Sequence, residues 1–139
     1  MREILFRGKR IDNGEWAYGY LFDDDSIYKK RFFVGALVIT GAKGTTDAVF
    51  DVGANFFEVD PSTIGQYTGL TDKNGVKIFE GDMISYNGSK DVVYFDTSLN
   101  IPCFTTGIGR GSSTGPHPYK ISKRQVVIGN IHDNPELLK

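Results

Sequence analysis

The sequence predicts a mainly β protein, folded as a small β barrel or roll. Three observations indicate this fold class: several runs alternate with a period of two, glycine-containing turns separate them, and no stretch has the periodicity of an ordinary helix. The 17 glycines among 139 residues suit a turn-rich globular chain. Short strands at close spacing with such turns are typical of small barrels and rolls.

The first predicted element is a β-hairpin. The run EWAYGYLF, residues 15–22, alternates between two faces, and one face carries Trp16, Tyr18, Tyr20 and Phe22. The dipeptide Asn13-Gly14 before it suits a type I′ turn, because both residue types tolerate positive φ. We therefore expect residues 3–11 to pair with residues 15–22.

The next predicted strand is RFFVGALVI, residues 31–39, which is apolar throughout. A strand of this kind is either central in its own core or an edge that pairs with another chain. Both interpretations stay open, and the second predicts self-association. Residues 56–60 predict a further strand, and the following Asp60-Pro61-Ser62-Thr63 predicts a turn or a single helical turn.

The middle of the chain, residues 65–86, predicts two turns between three short strands. Asn74-Gly75 is suited to closing a tight hairpin, and Gly81 redirects the chain. Asp72 and Asp82 are expected to accept hydrogen bonds from the turn backbone. The predicted core residues of this stretch are Tyr67, Leu70, Ile78, Phe79 and Ile84, and the glycines expected to supply backbone freedom are Gly69, Gly75 and Gly81.

The C-terminal part of the chain predicts further strands, in residues 83–86, 91–95, 101–106 and 125–131. Residues 41–47 read as a connection, and residues 107–118, GIGRGSSTGPHP, have the composition of a mobile loop. Near the end, Asn134 is predicted to cap a short helical turn that begins with Pro135.

Composition excludes several classes of protein. The formal net charge is −1, so total charge does not indicate a nucleic-acid binder. The single cysteine, Cys103, excludes an intrachain disulfide, and two histidines with one cysteine exclude a Cys/His zinc cluster. The longest apolar run, residues 32–39, is too short to span a bilayer as a helix. We expect a soluble, cytoplasmic chain without cofactor or metal.

Candidate catalytic groups are few. Glu80 and Asp82 are separated by one residue and would share a strand face, as a cation site or an acid–base pair requires, although a solvated polar turn is the simpler interpretation. His132 beside Asp133 would complete a small metal-dependent hydrolase if it converged with these two carboxylates. No nucleophile elbow of the form G-x-S-x-G is present.

Basic side chains occur in three clusters, which would bind nucleic acid if the fold placed them on one face. Exposed tyrosines such as Tyr28 and Tyr119 would then stack on bases. The alternative is ordinary scattered surface charge. The candidate nucleic-acid contacts are Arg7, Lys9, Arg10, Lys29, Lys30, Arg31, Lys120, Lys123 and Arg124.

Three blocks of the sequence resemble the YopX family of phage and prophage proteins: FRGKRIDNGEWAYGY, IGQYTGLTDKNGVKIFEGDMI and VIGNIHDNPELL. They stand in the family's order and span nearly the whole chain. The resemblance implies a single domain over residues 1–139, with an N-terminal β subregion in residues 1–60 and an SH3-like barrel in residues 61–139. It also implies a phage or prophage origin, hence the cytoplasm of a host bacterium, and brings no biochemical activity.

From these observations we expect a non-enzymatic protein-interaction or assembly module. Its expected partners are a second copy of the chain and an unknown phage or host protein. A nucleic-acid-binding module is the alternative, and a small metal-dependent hydrolase comes third. The candidate binding residues are the polar or amphipathic members of the middle block: Tyr67, Lys73, Lys77, Glu80 and Asp82.

Overall fold

The structure is a computed structural model. In the part of the chain that it describes, it contains eleven β-strands and two short 3-10 helices. That part is residues 1–40, 51–97, 102–106, 121 and 124–139, without the side chains of residues 38–40 and 51–54. The predicted connection at residues 41–47 and the predicted loop at residues 107–118 lie outside the described residues. Among the described residues, no helix is long and apolar enough to cross a membrane.

The chain divides into two compact units, which we call the N-terminal unit (Leu5–Ile64) and the C-terminal unit (Met1–Ile4 with Gly65–Lys139). The single domain with subregions 1–60 and 61–139 stays a prediction. The observed division lies between Ile64 and Gly65, close to the predicted internal boundary.

The N-terminal unit contains the first four strands, in the spatial order β4-β3-β2-β1. All their pairings are antiparallel. The chain then forms a 3-10 helix at Pro61–Thr63, as the predicted turn or helical turn requires. The Asp60 side chain accepts a hydrogen bond from the Ser62 N–H at its start. The strands are β1 (Phe6–Lys9), β2 (Trp16–Asp23), β3 (Phe32–Thr40) and β4 (Asp51–Val59).

The predicted first hairpin is confirmed by the pairing of β1 with β2, from Phe6 opposite Gly19 to Lys9 opposite Trp16. The predicted type I′ turn is wrong. The connection is longer, because the Arg10 N–H donates to the Glu15 carbonyl at 2.9 Å, and in it only Gly14 has positive φ. The Asn13 side chain instead accepts from the Glu15 N–H at 2.9 Å.

The N-terminal sheet curls until its first and last strands meet. Arg10 forms a bridge with Val59, the Ile11 N–H donates to the Glu58 carbonyl at 3.0 Å, and the Asp60 N–H donates to the Lys9 carbonyl at 2.8 Å. The curl encloses one face of the sheet, which we call the inner face. Its core is Ala17, Val34 and Val59, packed against Leu21, Phe32, Phe57 and Ile64.

The C-terminal unit contains the remaining strands in three antiparallel groups. β5 pairs with β6, β7 lies between β11 and β8, and β10 pairs with β9. The final 3-10 helix at Pro135–Leu138 follows Asn134 as predicted, but the Asn134 side chain makes no capping bond. The strands are β5 (Gly65–Thr71), β6 (Lys77–Phe79), β7 (Asp82–Tyr86), β8 (Ser89–Val92), β9 (Tyr94–Asp96), β10 (Cys103–Thr105) and β11 (Val126–Asn130).

The core of the C-terminal unit is Ile78, Ile84, Val93 and Ile121, with Phe104 and Val127 against it. Of the core residues predicted in the middle block, Leu70 is wrong, because it is exposed. The mainly β class is confirmed. The described pairings form curled and open antiparallel sheets and no closed barrel, so the SH3-like barrel is not confirmed.

Candidate functional site

The outer face of the N-terminal sheet carries a row of exposed aromatic side chains. The alternation predicted for residues 15–22 is present in β2, where Ala17 and Gly19 are buried and their neighbours point away from the core. Tyr18, Tyr20 and Phe22 are 53%, 56% and 49% exposed. Large aromatic groups therefore stand in solvent on a regular, hydrogen-bonded strand.

Lack of space inside the curled sheet explains why the aromatic side chains point outward. A Cβ atom on Gly8 would lie 2.9 Å from the Val59 Cβ, so β1 and β4 already touch across the inner face. A Cβ atom on Gly19 would lie 2.1 Å from the carbonyl oxygen of Gly35 in β3, the strand paired with β2, so a side chain at residue 19 would separate these two strands. Contacts this short exclude side chains, because interiors are close-packed. Only small and medium residues fit on the inner face of β2.

Neighbouring strands extend the exposed row into a surface. Phe22 lies opposite Phe33 of β3, and its ring meets the Phe56 ring edge-on with centroids 4.8 Å apart. Leu37, further along β3, is also exposed. We call this surface the aromatic face: Trp16, Tyr18, Tyr20, Phe22, Phe33, Leu37 and Phe56.

Three cations lie along the aromatic face. The Arg7 guanidinium and the Lys9 ammonium are 4.7 and 5.5 Å from the centre of the Trp16 ring. At the other end of the sheet, the Arg31 guanidinium is 5.6 Å from the centre of the Phe33 ring. Each distance is within the range of a cation–π interaction, which orients the cation over the ring.

Several of the predicted basic residues are paired with acids. The Arg10 Nε donates to Asp12 at 2.9 Å, Lys30 contacts Asp23 at 2.6 Å and Arg31 contacts Asp24 at 2.6 Å. The Arg31 backbone N–H and guanidinium hold the pKa of Asp24 below its ordinary value. These pairs reduce the positive charge that the first two clusters present to a polyanion.

The structure places the first two basic clusters in the N-terminal unit and describes only Arg124 of the third. Arg7 is buried, Lys9 and Arg10 are partly buried, and Lys29 is exposed in the loop between β2 and β3. Arg124 is exposed in the C-terminal unit. Lys120 and Lys123, together with Tyr119, lie outside the described residues.

The binding residues predicted in the middle block occupy β5, β6 and the turns beside them. Tyr67 is buried, 5.5 Å from the Phe79 ring, and Lys77 lies over the Tyr67 ring while it forms an ion pair with Glu3 at 2.7 Å. Lys73 is exposed. Tyr67 and Lys77 are therefore brought together, with Lys77 on the solvent side.

The two carboxylates of the predicted catalytic cluster are bound to backbone. Asp82 is 2% exposed and accepts from the Phe79 N–H at 2.8 Å, while Glu80 accepts from the Gln66 N–H at 3.0 Å. A Cβ atom on Gly81 would lie 3.7 Å from the His132 Nε2, so the imidazole lies near the turn. Among the described residues, no group of three or more His, Cys, Asp and Glu side chains is arranged to hold a metal ion.

The Asp72 carboxylate accepts three hydrogen bonds from backbone N–H groups. Its Oδ1 accepts from the N–H groups of Asn74 and Val76 at 2.8 and 2.9 Å, and its Oδ2 accepts from the Val127 N–H at 3.1 Å. Burial raises the pKa of this carboxyl, but the three backbone donors outweigh burial and lower the pKa overall. Asp72 thus joins the β5–β6 turn to β11, and the turn role predicted for it is confirmed.

The aromatic face, rather than the middle block, is therefore the candidate functional site. The signal that points to this face is in the sequence: residues 17 and 19, which alternate with the aromatic residues of β2, are alanine and glycine. Small residues on one face of a strand indicate that another backbone approaches that face closely. The aromatic residues must then lie on the opposite side.

Comparison with known proteins places the chain in a family. The model of the family described as YopX protein matches residues 5–139. The chain belongs to the YopX family. Among solved structures, it is similar to protein EF1440 from Enterococcus faecalis, with 26% sequence identity, a TM-score of 0.58 and 100% of each chain covered. No curated protein matches the chain.

Proposed function

We propose that this YopX-family protein is a non-enzymatic interaction and assembly module that self-associates through the aromatic face. The observation that supports this is the exposure of Tyr18, Tyr20 and Phe22 by about half each on a regular strand. Aromatic side chains are enriched at protein interfaces, because each removes a large area from water and has few rotatable bonds to immobilise. Contiguous apolar surface of this kind marks interaction sites.

A second copy of the chain is the proposed partner because the rim of the aromatic face carries both signs of charge. Lys9 contributes a positive charge at one end, Glu58 of β4 contributes a negative charge, and the pairs Asp23–Lys30 and Asp24–Arg31 are neutral. A two-fold interface places one patch against itself, so it needs a patch that does not repel its own copy. The net charge of −1 is compatible with close approach of two chains.

The proposal assigns no catalytic role. Asp82 and Glu80 accept hydrogen bonds from backbone donors, which is the arrangement of turn-stabilising carboxylates. A general base needs to reach a substrate proton at hydrogen-bonding distance, and a carboxylate 2% exposed cannot do so without rearrangement of its turn.

A module that binds single-stranded nucleic acid is the second candidate. Tyr18 and Tyr20 are two residues apart on one strand, about 7 Å, a separation at which successive bases can stack. Lys9 lies on the same face and would contact phosphates. The ion pairs of Arg10, Lys30 and Arg31 with Asp12, Asp23 and Asp24 make this the weaker candidate, because each pair must be broken or shared to bind phosphate.

The wider context of the proposal comes from the family. We place the protein in the cytoplasm of a host bacterium as a phage or prophage product, with a phage or host protein as a further partner. For the C-terminal unit we propose an SH3-like arrangement of the strands, since β5 to β11 are short and antiparallel.

Light scattering coupled to size exclusion tests the proposed function. The wild-type chain is expected to form an oligomer that persists at high salt, because apolar burial is not screened by ions. Phe22→Ser and Tyr20→Ser are expected to shift the chain toward monomer. Phe95→Ser is the matched control, because Phe95 is 45% exposed in the C-terminal unit and its ring also meets another phenylalanine edge-on, at 5.0 Å.

Two results would contradict the proposal. A wild-type chain that stays monomeric at all accessible concentrations excludes self-association. An equal effect of Phe95→Ser and Phe22→Ser removes the aromatic face as its cause. If the chain binds single-stranded DNA at low salt only, and Tyr20→Ser abolishes that binding, the second candidate replaces the first.

A further inference from the structure

Three Asn-Gly dipeptides occur in the chain: Asn13-Gly14, Asn74-Gly75 and Asn87-Gly88. Asparagine is a thermolabile residue. A following glycine makes it more reactive, because no side chain stands between the glycine nitrogen and the asparagine carboxamide. All three pairs are exposed, so water reaches each of them. Their hydrogen bonds therefore decide which pair reacts in the folded chain.

Hydrogen bonds hold both residues of the Asn13-Gly14 pair. The Gly14 N–H donates to the Arg10 carbonyl at 2.9 Å. The Asn13 carboxamide oxygen accepts from the Glu15 N–H at 2.9 Å, and its nitrogen donates to the Glu15 carboxylate at 3.1 Å. Neither the glycine nitrogen nor the carboxamide carbon can move toward the other unless these bonds break.

Asp72 holds the Asn74-Gly75 pair. The Gly75 N–H donates to the Asp72 carbonyl at 3.1 Å. The Asp72 carboxylate accepts from the N–H groups of Asn74 and Val76, on either side of that glycine, at 2.8 and 2.9 Å. Rotation of this turn would break all three hydrogen bonds.

The Asn87-Gly88 pair has no such restraint. It is the two-residue connection between β7 and β8, with Tyr86 opposite Ser89. Its φ angles are +49° and +82°, both positive as in a type I′ turn. Among the described residues, neither the Gly88 N–H nor the Asn87 side chain makes a hydrogen bond, and Asn87 is the one residue other than glycine with positive φ. Rotation of Asn87 out of this turn therefore relieves backbone strain.

We propose that Asn87 is a site of spontaneous deamidation, and that the fold protects Asn13 and Asn74 from the same reaction. The Gly88 nitrogen, after losing its proton to solvent base, attacks the Asn87 Cγ. A C–N bond forms, the Cγ–Nδ2 bond breaks and ammonia leaves, which gives a five-membered cyclic imide. Water then adds to either imide carbonyl and breaks one C–N bond, which leaves aspartate or isoaspartate at residue 87.

Opening of the turn sets the rate at each site. Ring closure needs the asparagine Cβ and the next nitrogen on the same side of the Cα–C bond, so Asn87 must first leave the type I′ conformation. That rotation disturbs the pair of Tyr86 with Ser89, at the exposed end of the sheet, where local opening is easiest. At Asn13 and Asn74 at least two further hydrogen bonds must break, which lowers the open population about 10-fold.

The two products have different consequences for the β7–β8 hairpin. Aspartate tolerates positive φ, so it keeps the two-residue turn and adds only a negative charge. Isoaspartate adds a methylene group to the main chain, and a two-residue turn with this extra atom no longer matches the twist of its strands. We expect isoaspartate to loosen β8, while β7 stays paired with β11.

Peptide mapping by mass spectrometry tests the site. The folded wild-type chain is incubated at mildly alkaline pH in water enriched in heavy oxygen, so that only newly formed acid carries the label. Labelled acid at residue 87 is expected to form about 10-fold faster than at residues 13 and 74. The same chain unfolded in guanidinium chloride is the control, and there the three sites should react at similar rates.

Glu15→Ala tests the protection at one of the other sites. It removes the acceptor of the Asn13 side-chain nitrogen and changes only an exposed side chain. The rate at Asn13 should rise about 2- to 10-fold, the equivalent of one hydrogen bond. The rate at Asn87 should not change.

Hydrogen exchange of β8 tests the consequence. Amides of residues 89–92 should exchange faster in the purified isoaspartate form than in the wild type, whereas Asn87→Asp should leave them unchanged. Equal rates at the three sites of the folded chain, or no labelled acid at residue 87, would overturn the proposed site. Unaltered exchange in the isoaspartate form would overturn the loosening of β8. None of these outcomes depends on whether the chain self-associates.

Discussion

In the N-terminal sheet Tyr18 and Tyr20 stand in solvent, whereas in the C-terminal unit the carboxylates of Asp72 and Asp82 lie below the surface. The ordinary preference of each residue type is the opposite. In the first case the close approach of neighbouring strands leaves no space for a ring at the alternate positions of β1 and β2, Gly8 and Gly19. In the second case the turns present backbone N–H groups that need an acceptor, and the carboxylates supply one.

This contrast shows that the side of a strand or turn a residue occupies is decided by its neighbours. The aromatic row on β2 has the composition of core, but in the structure the opposite face is occupied: Gly8 of β1 lies against the Val59 side chain, and Gly19 lies against the β3 backbone. Glu80 and Asp82, on either side of Gly81, resemble a catalytic pair in the sequence. In the structure each carboxylate accepts a hydrogen bond from a backbone N–H and stabilises the local backbone. Apolar surface and buried charge each have a local physical cause.

The largest expected effect comes from filling the close backbone contact between β3 and β4 at Gly35, which lies opposite Tyr20 and Phe56. In Gly35→Ala the new Cβ would lie 2.0 Å from the Asn55 carbonyl oxygen and 2.7 Å from the Phe56 Cα. Because both atoms belong to the backbone, β3 and β4 must move apart. The free energy of unfolding should fall by about 3 kcal/mol or more. Urea unfolding followed by the fluorescence of the single tryptophan, Trp16, measures this in the N-terminal unit.

Gly14→Ala is the matched control for this prediction. Gly14 has a φ of +72° and open space around its Cβ position, so only backbone strain is added. We expect a loss of about 1 kcal/mol. If Gly35→Ala costs no more than Gly14→Ala, the close approach of the β3 and β4 backbones does not restrict residue 35 to glycine.

Replacing one tyrosine by serine in each unit compares the loss of a buried ring with the loss of an exposed ring. Tyr67 is 7% exposed beside Phe79, so Tyr67→Ser should cost about 3–5 kcal/mol, as other deletions of buried aromatic rings do. Tyr20 is on the aromatic face, so Tyr20→Ser in the monomer should change stability by less than about 0.5 kcal/mol. Urea unfolding of the two variants at a concentration where the chain is monomeric gives both values. Equal losses would contradict the assignment of Tyr20 to a surface.

A smaller loss, with a distinct pH dependence, is expected from Asp72→Asn. An amide has one acceptor oxygen, so the N–H of Val127 would face an NH₂ group and lose its partner. The cost should be about 2 kcal/mol. Asp91→Asn is the control, because the Asp91 carboxylate accepts only from the N–H of the next residue, Val92, in the hydrogen bonds described.

The pH dependence follows from the direction of the pKa shift. The pKa of Asp72 is lower in the folded chain than its ordinary value of 3.8. Its stabilising contribution is therefore complete above pH 3.8 and is lost as the pH falls through the folded pKa. The stability difference between wild type and Asp72→Asn should shrink as the pH is lowered from 5 to about 2. A difference that stays constant over this range would show that the carboxylate charge is not what holds the turn.

Local patterns made several features predictable. The period-two alternation of residues 15–22, the turn roles of Asp72 and Asp82, and the freedom required at Gly69, Gly75 and Gly81 all depend on neighbouring residues, and all are present in the structure. The backbone conformations of the two Asn-Gly turns differ from those that the dipeptides predict. In both Asn13-Gly14 and Asn74-Gly75 only the glycine has positive φ, because each turn is longer than two residues and is held by a side chain.

The sequence by itself determined that this chain is mainly β, the approximate positions of several strands, and that it belongs with the YopX proteins. These properties follow from residue type and short-range spacing. Some bounds were wrong: β4 begins at Asp51 rather than at residue 56, and the single strand predicted at residues 91–95 is divided between β8 and β9. The tertiary structure alone decided that β3 is a central strand between β2 and β4 and that the inner face of β2 is its alanine–glycine side. Those properties depend on which backbones approach each other across dozens of residues, and alternation within one strand carries no information about that approach.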